Sequence, residues 1–318
     1  MALLEIEGLS IGYGTRNGLL RAVEDVSFTL EAGGSLGLVG ESGCGKTTLG
    51  MALMGLLPPN GKIMAGKILF EGQDLKESTE EQWRKIRWRK ISMIFQAAMN
   101  ALNPVHRVGD QIAEAISTHR PEMPEREIME RVAELYRLVG IPVERIKDYP
   151  HQYSGGMRQR AIIAMALACN PRLIIADEPT TALDVIVQDQ ILKEIKKLQE
   201  KLGLSIIFIS HDISIVAEVC EDIGVMYAGQ LVEWGPKEAV FENPVHPYTK
   251  ALLASYPTLM GERERLRPIP GEPPNLVSPP PGCRFCDRCP SAGKSCKSQA
   301  PVWAQVGPRH KALCNACS

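Results

Sequence analysis

SLGLVGESGCGKTTLGMALMGLL, Ser35 to Leu57, is the stretch on which the fold turns. It opens as an apolar run, passes through a glycine-rich loop and continues with helical spacing. Strand, loop and helix in that order are the setting a phosphate-binding loop requires. Gly40-x4-Gly45-Lys46-Thr47 fits the spacing G-x-x-x-x-G-K-[ST]. Glycines there let backbone N–H groups converge on phosphate oxygens, and the following helix adds its positive end. Lys46 would offset charge on the β- and γ-phosphates, and the Thr47 hydroxyl can ligate Mg2+. Glu41, Ser42, Gly43, Cys44 and Thr48 complete the candidate loop.

Upstream of this loop, alternation in LLEIEGLSIGY and AVEDVSFTL predicts an antiparallel layer from Leu3 to about Leu30. Downstream, ISMIFQ (Ile91 to Gln96) reads as a buried strand. From about Asn100 to His151 the pattern becomes helical, with Ile128, Val132, Leu135 and Val139 on one face and Gly140 as a stop. The runs LIIA (Leu173 to Ala176) and SIIFIS (Ser205 to Ser210) are then separated by a helix, DVIVQDQILKEIKKLQEKLG. Strands alternating with amphipathic helices imply a largely parallel sheet covered on both sides. GVMYAGQLVEWG predicts a closing hairpin turned through Ala228-Gly229. The fold class is therefore α/β: a phosphate-loop core, an antiparallel β layer and an all-helical insertion.

The chain has 318 residues, enough for one large α/β domain and an appendage. Charged residues make up 23% and the formal net charge is -1, so no global basic field attracts nucleic acid. No apolar run approaches the roughly 18 residues of a spanning helix, and the acidic N-terminus does not suit a secretory signal, so a cytoplasmic chain is expected.

Asp177 ends the apolar run LIIA, which places a carboxylate at the carboxyl end of a parallel strand, where α/β sheets bind ligands. It is a natural holder of Mg2+. Glu178 follows directly and could accept a proton from a water aimed at the γ-phosphate. Without the phosphate loop, both would read as a solvated pair at a strand end. Ser154-Gly155-Gly156 opens a helix and so offers a second N-terminus favouring an anion.

With SGGM ahead of LIIADEP and ISHD, residues Leu3 to about Gly235 resemble the nucleotide-binding subunit of an ATP-binding cassette (ABC) transporter. The resemblance implies a P-loop NTPase core of RecA-like type, ATP and Mg2+ as ligands, and ATP hydrolysis. It implies adenine stacking on Tyr13, Mg2+ and γ-phosphate sensing by Gln96, the signature loop at Ser154, Gly155 and Gly156, and Mg2+ binding and base catalysis by Asp177 and Glu178. It also implies a subunit-crossing role for Asp184 and a switch role for His211. Two departures are visible: Tyr153 replaces the usual leucine before Ser-Gly-Gly, and Met157 the usual glutamine after it. In that family two subunits meet head to tail, so each ATP lies between one phosphate loop and the opposing signature. The nucleotide-binding domain is expected over 1–235, with the helical subdomain at about 98–160, and a C-terminal extension over 236–318.

That extension contains a proline-rich connector, IPGEPPNLVSPPPG, and then C-x2-C-x2-C-x6-C-x17-C-x2-C from Cys283 to Cys317. Cys44, Cys169 and Cys220 are scattered, so the crowding is confined to the tail. In a reducing compartment such a cluster suits a metal better than disulfides, and both Zn2+ and an iron-sulfur cluster fit the composition. NPVHPYTKALLAS followed by GCRFCDRCPSAGKSC resembles the C-terminal extension of dipeptide, oligopeptide and nickel importer ATPases. There the recurring cysteines match Cys283, Cys289, Cys296 and Cys314, which implies a [4Fe-4S] cluster on those four, while Cys286 and Cys317 are extra.

The resemblance implies a peripheral subunit at the cytoplasmic face of the membrane. Its implied partners are two transmembrane permease subunits, a second homologous ATPase or a copy of itself, and an extracytoplasmic solute-binding protein. Dipeptides or oligopeptides are the expected cargo, with nickel or another solute as the alternative. A cassette ATPase working on nucleic acid or ribosomes is the competing class, but the paired cassettes, coiled-coil insertion or basic arms of such proteins are not evident here. A phosphoryl-transferring kinase would have no use for Ser154-Gly155-Gly156.

Overall fold

The computed structural model describes residues 2–96, 101–180, 183–255 and 268–315. The start of the expected helical insertion at about 98, Thr181 and Ala182 beside Asp184, and Cys317 lie outside the described residues. The elements run β1 (Ala2–Thr15), β2 (Gly18–Glu31), β3 (Ser35–Val39), α1 (Lys46–Leu53), β4 (Gly61–Phe70), β5 (Gln73–Asp74), α2 (Glu80–Ile86) and β6 (Ile91–Ile94). Next come α3 (Val108–His119), α4 (Glu125–Leu138), α5 (Gly155–Ala166), β7 (Leu173–Asp177), α6 (Val185–Leu202), β8 (Ser205–Ser210) and α7 (Ile213–Val219). The chain finishes with β9 (Asp222–Tyr227), β10 (Gln230–Pro236), α8 (Lys237–Glu242), α9 (Pro247–Ala254), β11 (Trp303–Gly307) and β12 (His310–Leu313).

Two units are distinguished, one of Glu31–Gly34 and Glu77–Phe208, the other of Ala2–Leu30, Ser35–Lys76 and Ile209–Ser318. The second contains the antiparallel layer, ordered β2-β1-β4-β5. The second half of β2 buries Val26, Phe28 and Leu30, the two-residue period expected of a half-buried strand, while Ala22 and Val23 are buried side by side. In the same unit β3 pairs in parallel with β9, from Leu36 opposite Asp222 to Val39 opposite Val225. The antiparallel β9–β10 hairpin turns on Ala228 (φ 47°) and Gly229 (φ 86°), both left-handed as a primed turn demands.

Beyond this hairpin the structure departs from expectation. β12 pairs antiparallel with β10, Glu233 opposite Ala312 and Trp234 opposite Lys311, and β11 pairs with β12. The sheet here is mixed rather than largely parallel, and the tail contributes strands to it. A buried carboxylate anchors the arrangement: Glu233 accepts from the Val245 and His246 amides at 2.8 and 2.9 Å and pairs with His310 Nε2 at 2.8 Å.

In the first unit β6 and β7 pair in parallel from Ile91 opposite Leu173 to Ile94 opposite Ala176. The helical insertion forms α3 and α4, which pack on each other and on α5. The face read from periodicity is the buried one, since Ile128, Val132, Leu135 and Val139 are all in the core. α6 buries Ile191, Leu192, Ile195 and Leu198 and stops at Gly203, whose φ of 62° gives the left-handed cap.

Candidate functional site

The loop from Gly40 to Thr48 joins β3 to α1, as its spacing predicts. Its glycines are sterically required. A Cβ on Gly40 (φ 150°) would lie 2.0 Å from the Met226 carbonyl oxygen, and one on Gly45 (φ 103°) 2.3 Å from that of Ala22. Lys46 is only 6% exposed and folds over its own loop, donating from Nζ to the Gly40 oxygen at 2.6 Å and the Glu41 oxygen at 3.0 Å. α1 follows its N-cap Gly45 without a side-chain cap and without acid in its first turn, so its N-terminal amides and positive end are left to receive an anion. This cradle fits a triphosphate. Ser42, Gly43 and Thr47 are exposed. Burial pushes the Cys44 thiol up against the pull of Lys46, which keeps this buried cysteine protonated.

Tyr13, on β1, donates from its hydroxyl to Thr48 Oγ1 at 3.1 Å, which ties the predicted adenine-stacking residue to the end of the loop. Glu41 is gripped at three points. Its N–H donates to the Tyr248 hydroxyl at 2.9 Å, its carbonyl accepts from Lys46, and its carboxylate receives both terminal nitrogens of Arg288. Sequence reading gave neither Tyr248 nor Arg288 a role. Tyr248 did stand in the quoted NPVHPYTK string, but nothing local links either residue to a loop some 200 positions earlier. His211 is exposed, and Asp212 beside it caps α7 by accepting from the Ser214 amide.

In the other unit Asp177, 1% exposed, ends β7, and Glu178 follows with a left-handed φ of 47°. Strain at a non-glycine residue is characteristic of functional positions. Gln96, exposed just beyond β6, donates from Nε2 to Glu178 Oε2 at 2.9 Å. Ser154 is the N-cap of α5, its hydroxyl accepting from the Met157 amide at 3.2 Å, and Asp184 caps α6 in the same way through Val187. Tyr153 is explained by its partners: its buried ring brings the hydroxyl to 2.9 Å from that of Tyr136 and 2.8 Å from the Arg145 carbonyl. A leucine there would leave Tyr136 short of a partner.

The tail cysteines gather around one cavity, bordered by Cys283, Cys286, Cys289, Cys296, Cys314 and His246. The five are not disulfide-bonded, and burial pushes the Cys283 thiol up to about 11. Such a donor set suits a thiophilic metal. Among the described residues, however, no three His, Cys, Asp or Glu side chains converge as a metal-binding group.

A glycine loop pinned between strand and helix, with a buried lysine folded over it, defines the class as a phosphate-loop nucleotide-binding α/β protein. Residues 23–181 match the ABC transporter family, and residues 232–296 the C-terminal region of oligopeptide/dipeptide transporters. The chain is 48% identical to the dipeptide transport ATP-binding protein DppD of Bacillus subtilis, over 98% of this chain and 94% of that protein. It is 46% identical to the oligopeptide transport ATP-binding protein OppD of Escherichia coli, over 95% of this chain and 89% of that one. Among solved structures it is similar to a dimeric ATP-binding cassette in a post-hydrolysis state bound to ADP and Pi, with a TM-score of 0.65 and 26% identity, covering 74% of this chain and 98% of that one. A cassette from Clostridium perfringens, part of an ABC transporter complex, gives a TM-score of 0.67 at 29% identity, over 76% of this chain and 91% of the other. The chain belongs to the ABC transporter family, among the ATP-binding proteins of its dipeptide and oligopeptide transport systems.

Proposed function

We propose that this chain is the ATP-hydrolysing subunit of an importer of dipeptides and oligopeptides. The observation that carries this reading is the Gly40–Thr48 cradle with Lys46 folded over it, in a chain whose C-terminal region matches oligopeptide/dipeptide transporters. On this reading Lys46 and the loop amides hold the β- and γ-phosphates, and Tyr13 supports the adenine. Mg2+, when bound, would offset phosphate charge. Thr47, Asp177 and Gln96 are the residues proposed to hold it. Glu178 takes the proton from the attacking water, and His211 contacts the γ-phosphate.

The opposing half of each site is proposed to come from a second ATPase, identical or homologous, through Ser154, Gly155, Gly156 and Asp184. Nucleotide then binds tightly only in the closed pair, and hydrolysis releases it, so closure and opening become a stroke passed to two permease subunits. Among the described residues no helix is long and apolar enough to cross a membrane, so attachment to the cytoplasmic face is assigned to those permeases. An extracytoplasmic binding protein would deliver the peptide. We retain residues 1–235 as the nucleotide-binding domain and 236–318 as the extension.

For the extension we propose a [4Fe-4S] cluster on Cys283, Cys289, Cys296 and Cys314, with Zn2+ as the alternative. The support is the shared cavity of unbridged thiols; among the described residues no three of these side chains converge closely enough to form a metal-binding group. The functional test is uptake of labelled dipeptide by the full complex reconstituted in vesicles. ATP-dependent accumulation that Lys46→Ala abolishes is expected. Uptake indifferent to ATP, or copurification with RNA instead of membrane proteins, would overturn the reading.

A further inference from the structure

The cysteine segment is wired to the phosphate loop by one side chain. Arg288 closes a 3-10 turn, Cys286–Arg288, between two of the tail cysteines and is 9% exposed. Its Nη1 donates to Glu41 Oε2 at 2.7 Å and its Nη2 to Glu41 Oε1 at 2.9 Å, the parallel fork in which Arg–carboxylate pairs are strongest. The same guanidinium donates to the Tyr227 hydroxyl at 3.2 Å and, through Nε, to the Pro270 carbonyl at 2.7 Å. Three segments thus meet on Arg288: the phosphate loop, the end of β9 and the proline-rich connector.

Glu41 makes this contact consequential. It is the second residue of a loop built to receive a polyanion, so its carboxylate works against the very charge that Lys46 and the loop amides attract. Two such charges within a few ångströms repel, and more strongly where water is excluded. The fork cancels that charge and, with the Tyr248 and Lys46 contacts to the Glu41 backbone, fixes the direction of the loop's first peptide groups.

We propose that Arg288 is a positioning residue for ATP binding: it neutralises Glu41 and holds the Gly40–Thr48 loop in its anion-receiving shape, which makes the cysteine segment part of the nucleotide site's support. This rests on the reading of that loop as the phosphate cradle. A change in the Cys286–Cys289 turn reaches the nucleotide through this arginine.

The test is a titration of the purified full-length chain with a fluorescent ATP analogue and Mg2+, alongside thermal melting. Arg288→Ala is expected to raise Kd about tenfold, the loss of roughly 1.4 kcal/mol. Arg288→Lys should recover only part of this, because an ammonium cannot form the fork. Adding Glu41→Gln to Arg288→Ala should bring affinity back to within about threefold of Glu41→Gln alone, since the offending charge is gone. A purely structural role would lower the melting temperature and leave Kd of the folded fraction unchanged, and the second substitution would rescue nothing; either result overturns the proposal. Should Arg288→Ala not fold, Arg288→Lys decides: an intermediate Kd supports the proposal and a wild-type Kd sinks it. Lys46→Ala separates the two levels. If it binds nucleotide normally, the reading of the loop itself fails; if it loses binding while Arg288→Ala does not, only the role of Arg288 fails.

Discussion

Gln96 donates from Nε2 to Glu178 Oε2 across 2.9 Å, joining the residues that follow two parallel-paired strands, β6 and β7. The Glu178 carboxylate is thereby oriented by Gln96, on a backbone that is left-handed. In its proposed role as base, Glu178 would be held by the residue proposed to sense the γ-phosphate, which would tie proton abstraction to that sensing.

Glu178→Gln keeps an oxygen for Gln96 while removing the basic carboxylate. Turnover is expected to fall by about two to four decades, the range for losing one general base, with ATP binding retained. Steady-state hydrolysis and nucleotide binding measured together check this, and hydrolysis at the wild-type rate would remove Glu178 from the role.

Ser154→Ala removes an N-cap as well as a candidate phosphate contact, so a stability cost of about 1 kcal/mol is expected in the chain itself. The effect on hydrolysis should fall on the partner's ATP. In a mixture of one Ser154→Ala chain and one Lys46→Ala chain, the two lesions land on a single site and the other stays whole. Activity lost as completely as in either pure mutant would contradict the exchange of signatures.

Tyr153→Phe leaves the buried Tyr136 hydroxyl and the Arg145 carbonyl without a shared partner. Unfolding in urea should show a loss of about 1–3 kcal/mol, with KM for ATP unaltered. No loss would mean that the departure from leucine at this position has another basis.

Purified with oxygen excluded, the chain is expected to be brown and to contain about four irons. Cys289→Ser should bleach it and Cys286→Ser should not. Stoichiometric zinc in a colourless protein would give the site to the alternative metal, and equal colour in both variants would displace Cys289 from the ligand set.

The loop at Gly40, the strand ending in Asp177 and the α4 face carried by Ile128, Val132 and Leu135 were all legible because each is set by near neighbours: a glycine spacing, an apolar run, a 3.6-residue period. The pairing of β12 with β10 was not, since a four-residue strand gives little periodic signal and its partner lies nearly 80 residues earlier. Arg288 and Tyr248 were missed for the same reason. Their roles arise only when distant segments are folded onto Glu41, and an arginine among cysteines reads as solvated charge. The capping roles of Ser154 and Asp184 show the converse, residues singled out for a partner that also serve their own helices.

The pairing of β12 with β10 also closes an edge. Without β12, the outer backbone groups of β10 would stand as an open sheet edge, and Glu233 would lose His310 while keeping the Val245 and His246 amides. The β12 pairing thus covers a margin that would otherwise be free to pair with another chain.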